Sequence, residues 1–125
     1  MENLLINGTH KTPSINFDAK KGLIEIKGVS TPENCIDFYQ PLVDWLKNYL
    51  ANPIKPTIIN IHLTYLNTNS SKWILHILKK FENIYTKNNS VTINWYCDED
   101  DEIMMESGED YQSILNVPVN IIESG

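Results

Sequence analysis

The residues best suited to chemistry form one polar run, residues 64–72, which lies between an apolar segment and a helical pattern. The run reads Thr-Tyr-Leu-Asn-Thr-Asn-Ser-Ser-Lys and places hydroxyl and amide groups in the predicted first turn of a helix. The N-terminus of a helix has unpaired N–H groups and the positive end of the helix dipole, so it favours an anion. The run therefore predicts either a helix cap or an acceptor of phosphate.

Thr68 is central to both interpretations. As a cap, Thr68 or Asn67 would accept a hydrogen bond from a free N–H group of the first turn. As a phosphoacceptor, Thr68 would gain roughly 1.5–2 negative charges and three acceptor oxygens, which the helix end and Lys72 would stabilise. Because that stabilisation is local, phosphorylation is expected to act on a partner surface and to leave the fold unchanged. Ser70 and Ser71 are alternative acceptors.

No other pattern predicts catalysis. The three histidines, His10, His62 and His76, lie in different predicted elements without the spacing of metal ligands. The sequence contains no nucleophile elbow, phosphate-binding loop or dinucleotide-binding fingerprint. Five consecutive acids, residues 98–102, could bind a hard cation, form a charged docking surface or simply begin a helix. We expect a non-enzymatic protein without a catalytic residue, a metal or a cofactor.

Length and charge narrow the class of protein further. The 125 residues predict one domain, residues 1–125, and the net charge of -6 disfavours nucleic acid and anionic membranes as partners. The N-terminus does not resemble a signal peptide, and no segment approaches the roughly 18 apolar residues of a membrane span. Cys35 and Cys97 lie far apart and are expected to be reduced thiols. These features predict a cytoplasmic protein that acts on other proteins.

Six strands and three helices should position the polar run. Alternating apolar residues predict strands at residues 3–8, 14–18, 23–27, 57–63, 91–95 and 117–121. The order β-β-β-α-β-α-β-α-β predicts an α/β fold with a mixed sheet, antiparallel at the N-terminus and parallel after it. The strand at 57–63 has apolar residues on both faces, which predicts cover on at least part of each face.

The helix boundaries follow from capping and breaking signals. Ser30 and Glu33 have the spacing of a capping box for the first helix, in which Pro41 is expected to produce a kink or a division. The second helix, after Thr68, should close at residues 87–90. The third helix lies within residues 98–110 and is expected to end or bend at Gly108 and the serine before it.

Several segments resemble the SiaC-type biofilm-regulation phosphoproteins, a bacterial family with a fold like the STAS anti-sigma-factor antagonists. The resemblance covers most of the chain and is carried by residues 28–34, 38–42, 45–46, 65–72, 94–96 and 106–111. Two positions depart from the family pattern: Leu66 stands where the family usually has Phe, and Asn69 where it usually has Ser. Neither change removes the hydroxyl of Thr68, the matching acceptor.

The resemblance implies a phosphorylation switch. In the family, a dedicated serine/threonine kinase phosphorylates the matching threonine, and a PP2C-type phosphatase removes the phosphate. The unphosphorylated protein binds and activates a diguanylate cyclase, which raises cyclic di-GMP and favours biofilm formation. By this resemblance Thr68 is the modified residue, and the surface shared by kinase, phosphatase and effector comprises Tyr65, Leu66, Asn67, Asn69, Ser70, Ser71 and Lys72.

Three other functions remain open from the sequence. A small enzyme or metal-binding domain would use the acidic segment. An ordinary STAS anti-sigma-factor antagonist would use the same switch on a different effector. A structural interaction domain would use Thr68 only as a helix cap.

Overall fold

The computed structural model describes residues 1–85 and 90–124. In these residues six strands form one mixed sheet, and their order across the sheet is their order along the chain. The strands are β1 (Leu4–Ile6), β2 (Ser14–Asp18), β3 (Leu23–Ser30), β4 (Thr57–Leu66), β5 (Val91–Asp98) and β6 (Val119–Ser124). β1, β2 and β3 pair antiparallel, whereas β3 to β6 pair parallel. The predicted α/β fold and mixed sheet are confirmed.

Three helices connect the parallel strands, as predicted. They are α1 (Cys35–Ala51), α2 (Thr68–Lys80) and α3 (Glu102–Ile114), and a short 3-10 turn (Phe81–Asn83) follows α2. Their apolar faces and one face of the sheet form a single core, in which the largest fully buried side chains are Trp95, Tyr39, Tyr49, Phe17 and Phe81.

The strand at 57–63 was predicted to be covered on at least part of both faces, but within the described residues the helices cover only one face of β4. Ile58 is 37% exposed, whereas Ile59 is completely buried. Successive parallel strands are added in one direction across the sheet, so right-handed crossovers place every helix on the same side. The uncovered face is polar: the Asn94 amide donates to Asn60 at 2.9 Å and the Asn120 amide donates to Asn94 at 3.2 Å.

The capping box predicted for α1 was also wrong, because the helix begins four residues later. Asn34 is the N-cap and accepts a hydrogen bond from the N–H of Asp37 at 3.2 Å. Ser30 is instead the last residue of β3, and its carbonyl accepts hydrogen bonds from the Asn67 N–H and the Ser70 hydroxyl. These two donors occupy the carbonyl that an N-cap at Ser30 would need for the first hydrogen bond of α1.

Pro41 does not divide α1, which continues through it to Ala51. Proline removes the N–H that would bond to the carbonyl of Asp37, four residues earlier. Both residues are exposed, so water can satisfy that carbonyl.

Two predicted helix ends also differ from the structure. The helix α2 ends at Lys80, earlier than predicted, and residues 87–89 of the predicted closing segment lie outside the described residues. The helix α3 continues through Gly108 to Ile114, so the predicted end at Ser107 and Gly108 was wrong. Gly108 lies on the buried side of α3, where an added Cβ would be 2.5 Å from Cδ1 of Trp95. The glycine therefore permits close packing of α3 on the sheet.

A β-bulge near the end of β4 determines which side chains reach the surface. Gly28 and Val29 are neighbours on β3, but their partners on β4 are two residues apart, which leaves Thr64 as an extra residue. One extra residue moves every later side chain of a strand to the opposite face. Without it, the buried alternation of β4 would place Tyr65 in the core. Tyr65 is instead 57% exposed, and Leu66 packs against the core.

Candidate functional site

The junction between β4 and α2 is capped by Asn67. Its backbone is extended, its side chain accepts a hydrogen bond from the Ser70 N–H at 2.8 Å, and its carbonyl accepts from the Ser71 N–H at 3.0 Å. Thr68 is the first residue of α2 and is exposed. The structure therefore assigns the cap to Asn67, and the hypothesis that Thr68 serves only as a helix cap was wrong.

The surroundings of Thr68 suit an anion. The Asn67 side chain occupies the N–H of Ser70, whereas no acceptor in the described part of the chain contacts the N–H groups of Thr68 or Asn69. These free donors lie at the positive end of a 13-residue helix. Lys72 is one turn further along α2 and exposed. A phosphate on Thr68 would thus meet free N–H groups, the helix dipole and an ammonium group.

Ser70 points into the protein and is completely buried. Its hydroxyl donates to the Ser30 carbonyl at 3.0 Å and accepts from the Ser30 hydroxyl at 2.9 Å. The Ser30 hydroxyl also bonds to the Tyr39 hydroxyl of α1. Burial raises the pKa of Tyr39 to about 12, so the phenol stays protonated in this network. Ser70 therefore anchors α2 to β3 and α1, and it does not belong to the predicted recognition surface.

Ser71 is half-buried and connects α2 to α3. The Tyr111 hydroxyl donates to the Ser71 carbonyl at 3.0 Å and lies 2.8 Å from the Ser71 hydroxyl. Burial raises the pKa of Tyr111. Because the neighbouring serines are held in these contacts, Thr68 is the hydroxyl of this turn that faces solvent.

A groove of about 340 Å³ runs from the junction to the start of α3. Among its lining residues are Thr68, Lys72 and Asp101. Two large apolar side chains stand in it exposed, Tyr65 at 57% and Ile103 at 77%. Exposed apolar groups beside a polar helix end are typical of a surface that contacts another protein.

The residue pattern predicted Tyr65 as part of this surface but did not indicate Ile103 or the contact of Ser30 and Tyr39 with Ser70. Ile103 follows directly after the acids, and the helical period places it about 100° around the helix from the buried Met104, so its exposure could have been inferred. The buried hydroxyl contacts join residues up to 40 positions apart and left no signal in the sequence.

The acidic residues at 98–102 begin a helix, which was one of the alternatives. Asp101 is the N-cap of α3 and accepts a hydrogen bond from the Met104 N–H at 3.1 Å. Asp98 ends β5 and lies 2.9 Å from Nε2 of His62. Within residues 1–85 and 90–124, no three His, Cys, Asp or Glu side chains are placed to hold a metal ion. The same residues contain no helix of the length and apolarity needed to cross a membrane, and both cysteines are free.

Comparisons with known proteins agree with this architecture. Residues 6–124 match the model of the SiaC family regulatory phosphoprotein. An uncharacterised protein of Pseudomonas aeruginosa strain UCBPP-PA14 is 31% identical over 121 residues, which cover 97% of this chain and 96% of the relative.

Solved structures with the same fold come from the same species. Apo-SiaC from Pseudomonas aeruginosa is 30% identical, with a TM-score of 0.85 over 98% of this chain and 99% of the other. A chain in the crystal structure of the diguanylate cyclase SiaD in complex with its activator SiaC is also 30% identical. Its TM-score is 0.89 over 97% of this chain and 99% of the other.

Proposed function

The chain belongs to the SiaC family of regulatory phosphoproteins, and on that basis we propose that it is a non-catalytic switch controlled by reversible phosphorylation of Thr68. A serine/threonine kinase adds the phosphate and a PP2C-type phosphatase removes it. The unphosphorylated form binds and activates a diguanylate cyclase in the cytoplasm, and cyclic di-GMP rises as a result.

The observation that carries this proposal is the exposed Thr68 hydroxyl at the start of α2. Its two serine neighbours in the same turn are bonded inside the protein, one to Ser30 and one to Tyr111. A kinase can therefore reach Thr68 without unfolding the turn. The free N–H groups and Lys72 would stabilise the phosphate where it forms, so the helix can remain intact.

The groove beside Thr68 explains how the phosphate would act on binding. A partner that covers Tyr65 and Ile103 must also cover the Thr68 side chain, because all three line the same groove. A threonine hydroxyl costs little to bury, whereas a phosphate dianion loses much of its hydration. This cost disfavours the bound state of the phosphorylated protein.

Two comparisons support a cyclase as the effector. The family is one of regulatory phosphoproteins, and the solved complex contains a diguanylate cyclase with an activator of the same fold. The role of Tyr65, Leu66, Asn67, Asn69 and Lys72 in recognition is part of the same proposal.

Mass spectrometry of the protein isolated from its own cells tests the modification. We expect one phosphate on the peptide containing Thr68, which is lost on treatment with a phosphatase. A phosphate found only on another residue would contradict the assignment.

Binding to the cyclase encoded by the same cells tests the switch. We expect Thr68→Ala to bind as the unmodified protein does, and the phosphorylated protein to bind at least about tenfold more weakly. Thr68→Glu should weaken binding less, since a carboxylate carries one charge. Ser113→Glu is a matched control, because this exposed position lies about 15 Å further along α3 than Ile103. Equal binding of phosphorylated and unphosphorylated protein would refute the switch.

A further inference from the structure

A second groove, of about 450 Å³, lies between α1 and α2 and is strongly basic. Acidic residues outnumber lysines in this chain by 16 to 10, yet no carboxylate lines this groove within the described residues. Its lining residues are Gln40, Val43, Lys47, Lys72, Trp73, His76 and Lys80.

The lysines of this groove lack acidic partners in the part of the chain that the structure describes. The two ion pairs found there, Lys11 with Glu33 and His62 with Asp98, involve other residues. Burial, followed by the charges of Lys80 and Lys47, lowers the pKa of His76. Asp44 lies at the rim of the groove, where its carboxylate accepts a hydrogen bond from the Gln40 amide at 3.0 Å. The three lysines of the groove outnumber it, so the groove keeps a positive potential.

The basic side chains of α2 form a regular row. Lys72, His76 and Lys80, hereafter the basic row, are spaced by four residues and extend over about 12 Å along the helix. The helix α3 has the opposite charges at the same spacing. Glu102, Glu106 and Asp110, hereafter the acidic row, are all exposed and also extend over about 12 Å.

Both rows lie on the outer side of the helix layer. The buried residues of α2 include Ile74 and Leu78, and those of α3 include Met104, Gly108 and Tyr111. At 100° per residue, each charged row lies roughly opposite these buried residues. Two copies can face each other through their helix layers, related by a two-fold axis. The acidic row of each copy can then contact the basic row of the other, so both pairs of rows form at once.

We propose that two copies of this chain associate through their helix layers, with the acidic row of each copy seated in the basic groove of the other. The complementarity consists of two rows of equal spacing and equal length, in which the lysines of the groove face the carboxylates of the acidic row. His76 is uncharged at neutral pH and can donate a hydrogen bond to one of those carboxylates. Val43 and Trp73 provide apolar contact between the charges. Since exposed ion pairs are individually weak and each copy carries a net charge of -6, the dimer should be weak and sensitive to salt.

Sedimentation of the full chain measures this association. From about 10 µM to about 1 mM protein, the average mass should rise from 14.4 kDa towards twice that value in about 0.02 M salt. It should remain near the monomer mass in about 0.5 M salt, where the Debye length is only a few ångströms. A monomer at every concentration in low salt would overturn the proposal.

Charge reversal identifies the surfaces. Lys47→Glu with Lys80→Glu, and separately Glu106→Lys with Asp110→Lys, should each weaken association at least about tenfold, because attraction becomes repulsion. An equimolar mixture of the two double variants should associate again. The native acidic row of the first variant meets the native groove of the second, and the reversed groove of the first meets the reversed row of the second, so charges of opposite sign face each other at both contacts. Lys20→Glu with Lys21→Glu makes the same charge change on exposed lysines of the β2–β3 turn and should leave association unchanged.

Circular dichroism establishes that each variant is folded before its mass is interpreted. Association that persists in both double variants, or that does not recover in the mixture, would overturn the proposal. If the protein stays monomeric and the groove variants instead weaken its binding to the cyclase, the groove receives an acidic partner protein, and the dimer is equally refuted.

Discussion

Replacement of Asn67 and of Thr68 by alanine should affect two different properties of the protein. Asn67 holds the N–H of Ser70 at 2.8 Å, so Asn67→Ala removes the cap of α2. Loss of such a cap costs about 1 kcal/mol, within a range of about 0.5–2 kcal/mol. The side chain of Thr68 is exposed and lies beyond the cap, in the first helical position. Thr68→Ala should therefore change the free energy of unfolding by less than about 0.5 kcal/mol.

Urea unfolding, followed by tryptophan fluorescence, measures both free energies. For a domain of 125 residues, 1 kcal/mol corresponds to a shift of about 3–5 °C in Tm, so a thermal melt should distinguish the variants as well. Asn67→Asp is the matched control, because aspartate caps a helix as well as asparagine does and should restore stability.

Incorporation of phosphate should show the reverse pattern. Thr68→Ala should take up no phosphate on the junction peptide, whereas Asn67→Ala keeps the acceptor hydroxyl. If Thr68→Ala destabilised the protein as much as Asn67→Ala, the separation of cap and acceptor at this junction would be refuted.

Three further substitutions test the packing around the site. Gly108→Ala should destabilise the protein by up to about 2 kcal/mol in urea unfolding, because overpacking against Trp95 costs about 1–3 kcal/mol and outweighs a gain in helix propensity of about 1 kcal/mol. A stabilised variant would contradict this packing. In the folded protein the pKa of Tyr39 is raised to about 12, so as the pH rises the phenol loses its proton first in the unfolded chain. The free energy of unfolding should therefore fall by about 2–3 kcal/mol as the pH rises from about 10 to 12. Tyr39→Phe should reduce that loss, as measured by unfolding at each pH, and an unchanged profile would count against the buried phenol. Ser70→Ala should lower the free energy of unfolding by about 1–3 kcal/mol and leave phosphate incorporation at Thr68 unchanged in the peptide assay.

The sequence predicted the order of elements because each has a clear period. The alternation of apolar residues around Ile59 and the apolar helical stripe around Ile77 depend only on which side chains must be buried. The side chains of Ile59 and Ile77 are both completely buried in the structure. The polar run was likewise placed correctly at the start of α2, because hydroxyl and amide side chains form hydrogen bonds with nearby backbone groups and so favour helix caps.

Helix boundaries that depend on contacts between distant residues could not be predicted from the sequence in the same way. Ser30 has the local features of a helix cap, but the Asn67 N–H and the Ser70 hydroxyl engage its carbonyl, and Asn34 caps the helix instead. Gly108 has the local features of a helix breaker, but Trp95 fills the space that a side chain would need. In both cases the decisive partner lies more than ten residues away, so a local pattern could not reveal it.

Which hydroxyl is accessible also depended on tertiary structure. Thr68, Ser70 and Ser71 are equivalent in the sequence as hydroxyls in one helical turn. They differ because one turn of helix directs them to solvent, to Ser30 and to Tyr111 respectively.

The extra residue in β4 means that the number of residues before the junction matters as much as their identity. Deletion of Thr64 would remove the bulge with Val29 and return the strand to simple alternation. Tyr65 would then turn towards the core, Leu66 would turn to solvent, and α2 would be drawn back by about 3.3 Å along the strand. The surface beside Thr68 should therefore tolerate many substitutions in this strand but not the loss of one residue from it.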